Sequence, residues 1–190
     1  RIEGNLIYHA MQELHDGAGI YITFCKRIVL RGNFIRDIAD TGGYGASAYY
    51  LDEQAEDCLV EGNLSLRVSR PSHNHMAKKN TVRNNVFIAE GDLTITFPKS
   101  SDYTLERNVL AAKGKISFTN PAGIAAFRNN VLFSAKGEYS GEILDSYRKT
   151  GTEALKEQGG SAFADPLLVE FETGKVRFAP GSPALKLGIE

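Results

Sequence analysis

Six stretches of the chain repeat one alternation of apolar and polar residues around an asparagine: RIEGNLI, VLRGNFI, LVEGNLS, VRNNVFI, LERNVLA and FRNNVLF. They put Asn5, Asn33, Asn63, Asn85, Asn108 and Asn130 in a common frame, at successive spacings of 28, 30, 22, 23 and 22 residues. Three residues before the asparagine stand Leu30, Val60, Val82, Leu105 and Phe127; one residue after it stand Phe34, Leu64, Val86, Val109 and Val131. Between these columns, Arg31, Glu61, Arg83, Glu106 and Arg128 carry charge. Alternation with period two marks a strand, and recurrence near 22 residues marks a stacked array whose repeats bury their apolar faces on one another. The pattern predicts an all-β chain, a parallel β-helix, with both apolar columns pointing inward and the charged column outward. The asparagines are expected at one bend. Asn tolerates a left-handed backbone there, and its amide can bond the asparagine of the next coil in a ladder.

Residues 1–137 carry these coils. The two early coils are longer than the later ones, and extra residues in such an array go into loops on one face, where binding sites are commonly built. The long coils also hold the unusual residues: His15, Asp16, Asp40, Tyr44, Tyr49, Tyr50, Asp52 and Glu53, with Arg70, His73 and His75 in the next coil. Function is therefore expected on the first three coils. From about Glu138 the pattern changes. The stretch GEILDSYRKTGTEALKEQG has helix-forming composition, and the Pro- and Gly-broken segments after it suit a terminal cap. Residues 138–190 read as a short helical and irregular cap closing the open end of the stack.

Composition narrows the partners. A net charge of −1 over 190 residues supplies no global field to favour nucleic acid or an anionic membrane, and no apolar run is long enough to span a bilayer. The first residues already lie inside a coil, which reads as the C-terminal part of a longer array with upstream coils of the same protein as its neighbour. Of the two cysteines, Cys58 shares a column with Ile28 and reads as a buried small hydrophobe, with a disulfide to Cys25 as the alternative. No cofactor motif and no metal-ligand spacing is present: His73 and His75 project to one side of a strand but lack further ligands nearby. The sequon at Asn63 belongs to the internal ladder.

Two strands match residue by residue, Gly19-Ile20-Tyr21-Ile22-Thr23 and Ala48-Tyr49-Tyr50-Leu51-Asp52, and are expected in register one coil apart. Asp16 enters the first and Asp52 leaves the second, with Tyr21, Tyr49 and Tyr50 as flat surfaces of the kind that bind sugars. Glycoside hydrolysis needs two carboxylates roughly 5 to 9.5 Å apart. Seven extended residues separate Asp16 from Thr23, the neighbour of Asp52; that is ~23 Å, so the pair meets only if the Gly17–Gly19 stretch folds back. Two structural alternatives stand beside this one: Asp16 as a turn residue and Asp52-Glu53 as a solvated strand end.

Four segments occur in a characteristic order: Asp16-Gly17-Ala18-Gly19-Ile20-Tyr21-Ile22-Thr23, Ala48-Tyr49-Tyr50-Leu51-Asp52-Glu53-Gln54, His73-Asn74-His75, and Asn80-Thr81-Val82-Arg83-Asn84-Asn85-Val86-Phe87. In this order the chain resembles the right-handed parallel β-helix proteins of bacterial polysaccharide breakdown, nearest to glycoside hydrolase family 141, which includes α-L-fucosidases and xylanases. Ala164-Asp165-Pro166-Leu167 and Pro180-Gly181-Ser182-Pro183-Ala184 resemble the closing segment of these enzymes. The chain departs from the family at Ala18, where a glycine is usual, and at Ala48-Tyr49, where Gly-Ile is usual. The resemblance implies a right-handed coil and a secreted or periplasmic enzyme acting on a polysaccharide or oligosaccharide. It implies Asp16 and Asp52 as the catalytic carboxylates; Tyr21, Tyr49, Tyr50, Glu53, His73 and His75 are expected to bind substrate. A polysaccharide lyase or epimerase, with Arg70 and Arg83 as its only cations here, and a non-catalytic carbohydrate-binding β-helix are the rivals.

Overall fold

The computed structural model describes residues 1–141 and 159–189. These residues form an almost wholly β chain with three parallel sheets of six, seven and six strands and one antiparallel pair. The first sheet begins with Ile2–Glu3, Val29–Arg31 and Leu59–Glu61; the second with Leu6–Tyr8, Phe34–Arg36 and Leu64–Leu66; the third with Gly17–Ile22, Ala46–Leu51 and Ser72–Asn74. Within the parallel sheets, consecutive strands enter different sheets, and each pairs with its counterparts one repeat away. The frames read from the sequence are in register. Leu30 lies beside Val60, Val60 beside Val82, Val82 beside Leu105 and Leu105 beside Phe127.

The asparagines form one continuous ladder. Each Nδ2 donates to the Oδ1 of the next asparagine, at 2.9 Å from Asn5 to Asn33 and 3.0 Å from Asn108 to Asn130. The second Nδ2 proton is donated to a backbone carbonyl, as from Asn85 to Val60, and each Oδ1 also accepts the preceding asparagine's backbone N–H. Every polar group of these buried amides is used, which is why they are tolerated in the interior. The ladder ends where Asn130 N–H donates to Ser161 Oγ. One detail differs from expectation: the left-handed residue is the one before each ladder asparagine. Gly4, Gly32, Gly62, Asn84, Arg107 and Asn129 have positive φ, and the ladder asparagines do not. The turn takes its hand from that position and leaves the ladder amides free to hydrogen-bond.

The two apolar columns also part company. Leu30, Val60, Val82, Leu105 and Phe127 point into the main core, which all three parallel sheets share, with Ile35, Phe87, Leu110 and Leu132. Leu64, Val86, Val109 and Val131 point the other way, into a second cluster with Phe178, Ala184 and Ile189, and Phe34 packs at its border. The expectation that both columns face inward is therefore corrected. Crossing the two-residue bend reverses which positions face the interior, so equally apolar columns serve opposite faces of the wall. The C-terminal segment covers the outer one. Leu168–Glu170 pairs antiparallel with Arg177–Phe178, and a short helix, Pro183–Lys186, follows. Its Phe178, Ala184 and Ile189 pack against Leu64, Val86, Val109 and Val131 along the flank of the second sheet. Ala162–Phe163 and Tyr139–Ser140 do extend the second and third sheets. The helix expected within residues 142–158 lies outside the described residues.

On the first sheet the charged column points outward and alternates in sign: Arg31 donates to Glu61 at 2.8 Å, Arg83 to Glu61 at 2.6 Å and Arg128 to Glu106 at 2.8 Å. Arg83 is thus part of a structural ladder and no part of a groove. Cys58 is buried and both cysteines are free thiols; burial, with Cys58 beside it, pushes the Cys25 thiol up to about 11. Among the described residues no helix is long and apolar enough to cross a membrane.

Candidate active site

The third sheet carries the unusual residues. Its register aligns Tyr21, Tyr50, His73 and Thr96 in one row. The next outward position, two residues on, holds Thr23, Asp52, His75 and Pro98, because Asp52 N–H donates to Ile22 and His75 N–H to Leu51. The strands match in the register read from the sequence. Alternation then breaks once. Ala46, Ala48, Tyr49 and Leu51 all join the core, so Ala48 and Tyr49 are adjacent and both face inward. Ser47 and Tyr50, three apart, face the opposite side. The paired strand does the same at Gly19 and Ile20: a Cβ on Gly19 would lie 2.8 Å from the core side chain of Ile35. A glycine is needed there because two successive residues face the packed interior.

This break bears directly on the two carboxylates. Gly17–Ile22 stays paired to Ala46–Leu51 and does not fold back. Asp16 and Asp52 nevertheless line the same groove, about 700 Å³ in volume, together with Gly43, Tyr44, Tyr50, Glu53, Arg70, His73, His75 and Pro98. The charges of both reach the phenols of Tyr21 and Tyr50. The strand between them is extended, so the two carboxylates stand toward opposite ends of this groove's length rather than side by side on one strand end.

Asp52 is the best-anchored carboxylate in the groove. Tyr21 Oη donates to its Oδ2 at 2.5 Å, and His75 Nδ1 lies 2.8 Å from its Oδ1. Burial raises the Asp52 pKa, but hydrogen bonds from Tyr21, His75 and the Glu53 backbone N–H outweigh it and hold the carboxyl below its ordinary value. The same bond to Asp52, with burial, lifts the Tyr21 phenol to about 12, so it remains a donor. His73 is pushed down to about 4 by burial, with Arg70 and His75 adding to the effect, and is neutral at pH 7. Its Nδ1 pairs with Thr96 Oγ1. The rings form a continuous wall: Tyr50 meets Tyr21 edge-on at 4.9 Å and His73 at 4.3 Å, and His73 stacks parallel to His75 at 6.4 Å.

Of the residues expected to meet substrate, Tyr50, Glu53, His73 and His75 line the groove, and Tyr21 touches it through Asp52. Tyr49 does not. It is fully buried, packs against Phe87 and donates its hydroxyl to Asn33 O at 3.2 Å, because the broken alternation turns it inward. Pro98 and Gly43 were not anticipated; Pro98 could have been found only by extending the His75 row one coil further. Among the described residues no cluster of three or more potential metal ligands occurs. Comparison with protein-family models, with curated proteins and with solved structures gives no match.

Proposed function

We propose that the chain is a right-handed parallel β-helix and a glycoside hydrolase, or the catalytic portion of one, cleaving a polysaccharide or oligosaccharide outside the cytoplasm. The observation that carries this reading is the Tyr21–Asp52–His75 constellation: an ionised, hydrogen-bonded carboxylate at the edge of a groove walled by aromatic rings. The recurrence of strands in threes, each pairing with its counterpart in the next repeat, supports the β-helix. The resemblance in order and spacing to glycoside hydrolase family 141 supports both the hand and the chemistry.

In this reading Asp52 is the carboxylate that attacks the anomeric carbon or activates water, and Asp16 protonates the leaving oxygen. Tyr21 and His75 hold Asp52 in position, while Tyr50 and His73 form the wall against which a sugar ring packs. Glu53 is the rival proton donor, being next to Asp52 and on the same groove. A lyase would need a base beside a uronate and a cation to neutralise it; the neutral His73 and Arg70 are the residues that favour this second reading.

The test is activity on a panel of polysaccharides by the wild type and by Asp52→Asn, Asp16→Asn and Glu53→Gln. New reducing ends that vanish in Asp52→Asn and Asp16→Asn, with Glu53→Gln retaining turnover, are expected. Full activity in Asp52→Asn would end the reading; loss in Glu53→Gln but not in Asp16→Asn would transfer the acid role to Glu53.

A further inference from the structure

Arg70 differs from the other arginines. Among the described residues every arginine except Arg27 and Arg70 has a carboxylate within 4.0 Å. Arg27 is exposed and water serves it; Arg70 is largely covered and lines the groove. Its guanidinium is held by neutral groups alone. Nε donates to Ser47 Oγ at 2.7 Å and Nη2 to the Tyr44 carbonyl at 2.7 Å. The absence of a side chain at Gly45 makes this possible, since a Cβ there would lie 2.9 Å from Nη2. Asp16 and Asp40 act on it electrostatically, but neither forms an ion pair with it.

A covered cation without a counter-charge is costly, and a protein that needed only a loop tether would do as well with a neutral donor. Two neutral bonds fix the plane of this guanidinium and leave Nη1 without a protein partner. That is the geometry of a planar fork held ready for a two-oxygen anion. We propose that Arg70 receives an anionic substituent of the bound glycan, a sugar carboxylate or sulfate, at the end of the groove formed by the Asp40–Gly45 loop. This inference rests on the glycan-binding reading and narrows its substrate class to an acidic glycan.

The test is calorimetric titration of the chain with two matched pairs of oligosaccharides: an oligouronate and its carboxyl-reduced form, and a sulfated chain and its desulfated form. In one pair the charged member should bind at least ~10-fold more tightly, and Arg70→Met should erase that preference. Ser47→Ala loosens the tether without removing the charge and should retain most of the preference; it guards against a folding defect in Arg70→Met, as does a melting curve. Equal binding within both pairs, or a preference that survives in Arg70→Met, overturns the proposal. If neutral chains are bound equally well and cut in an Asp52-dependent way, the acidic-ligand inference fails and the hydrolase reading stands. If none of the four is bound, both fail.

Discussion

Asp52 accepts a hydrogen bond from the Tyr21 phenol and lies within hydrogen-bond distance of His75, and these contacts, with a backbone N–H, keep it charged where a buried carboxyl would otherwise tend to protonate. Its folded pKa lies below the ordinary 3.8, so the network's stabilisation is complete above that pH and is lost as pH falls through the lowered value. In activity the acid limb of kcat/KM should lie below the ordinary carboxylate range. Tyr21→Phe removes the donor but not the ring, so it should shift that limb to higher pH and lower kcat/KM at pH 4 more than at pH 7. A limb that stays in place would show that Tyr21 only packs. At this scale the sequence was informative about which residues are unusual: Asp16, Asp52 and the His73/His75 pair were all readable from their settings. It did not separate Tyr49 from Tyr50, because period-two counting cannot foresee two neighbours turning inward together. Arg70 was readable as a candidate groove cation, but its lack of a counter-ion was visible only in the structure.

The repeated elements were the most legible part of the molecule. Spacing and alternation alone aligned Leu30, Val60, Val82 and Leu105, because a stacked strand must present the same faces to each neighbour. The ladder makes a sharp prediction. Asn108 Oδ1 accepts both the backbone N–H and the Nδ2 of Asn85, so Asn108→Leu strands two buried donors and removes two more. The expected loss is about 1–3 kcal/mol or more in urea denaturation, since buried donors are left unpaired. A change within ~0.5 kcal/mol would mean that the ladder is dispensable. A second column behaves differently. Glu56 sits between Lys26 and Lys78 on neighbouring repeats, and hydrogen bonds from Lys26 and Lys79 bring its pKa from 4.5 to about 2. Its contribution is present above pH 4.5 and fades as pH falls toward 2. Glu56→Gln should therefore melt lower than wild type at pH 6 and converge with it near pH 2; parallel curves would contradict this.

At the scale of the whole molecule, one wall is buried on both sides. The inward column of the second sheet faces the main core, and Leu64, Val86, Val109 and Val131 face the C-terminal segment. The sequence could not reveal this, because an apolar column looks the same whichever face it serves and the covering segment has no repeat of its own. Phe178→Ala should cost ~3 kcal/mol by opening that cluster, with little effect on the groove, which lies on another sheet. A large change in glycan binding by this variant would mean the two faces are coupled. The central claim, that the groove hydrolyses a glycan through Asp52, is tested most directly by digestion in heavy-oxygen water followed by mass spectrometry of the products. The account predicts the label on the anomeric carbon of each new reducing end for the wild type, and no labelled product from Asp52→Asn at equal substrate binding. An unlabelled, unsaturated sugar product, or labelled product from Asp52→Asn at the wild-type rate, would contradict it.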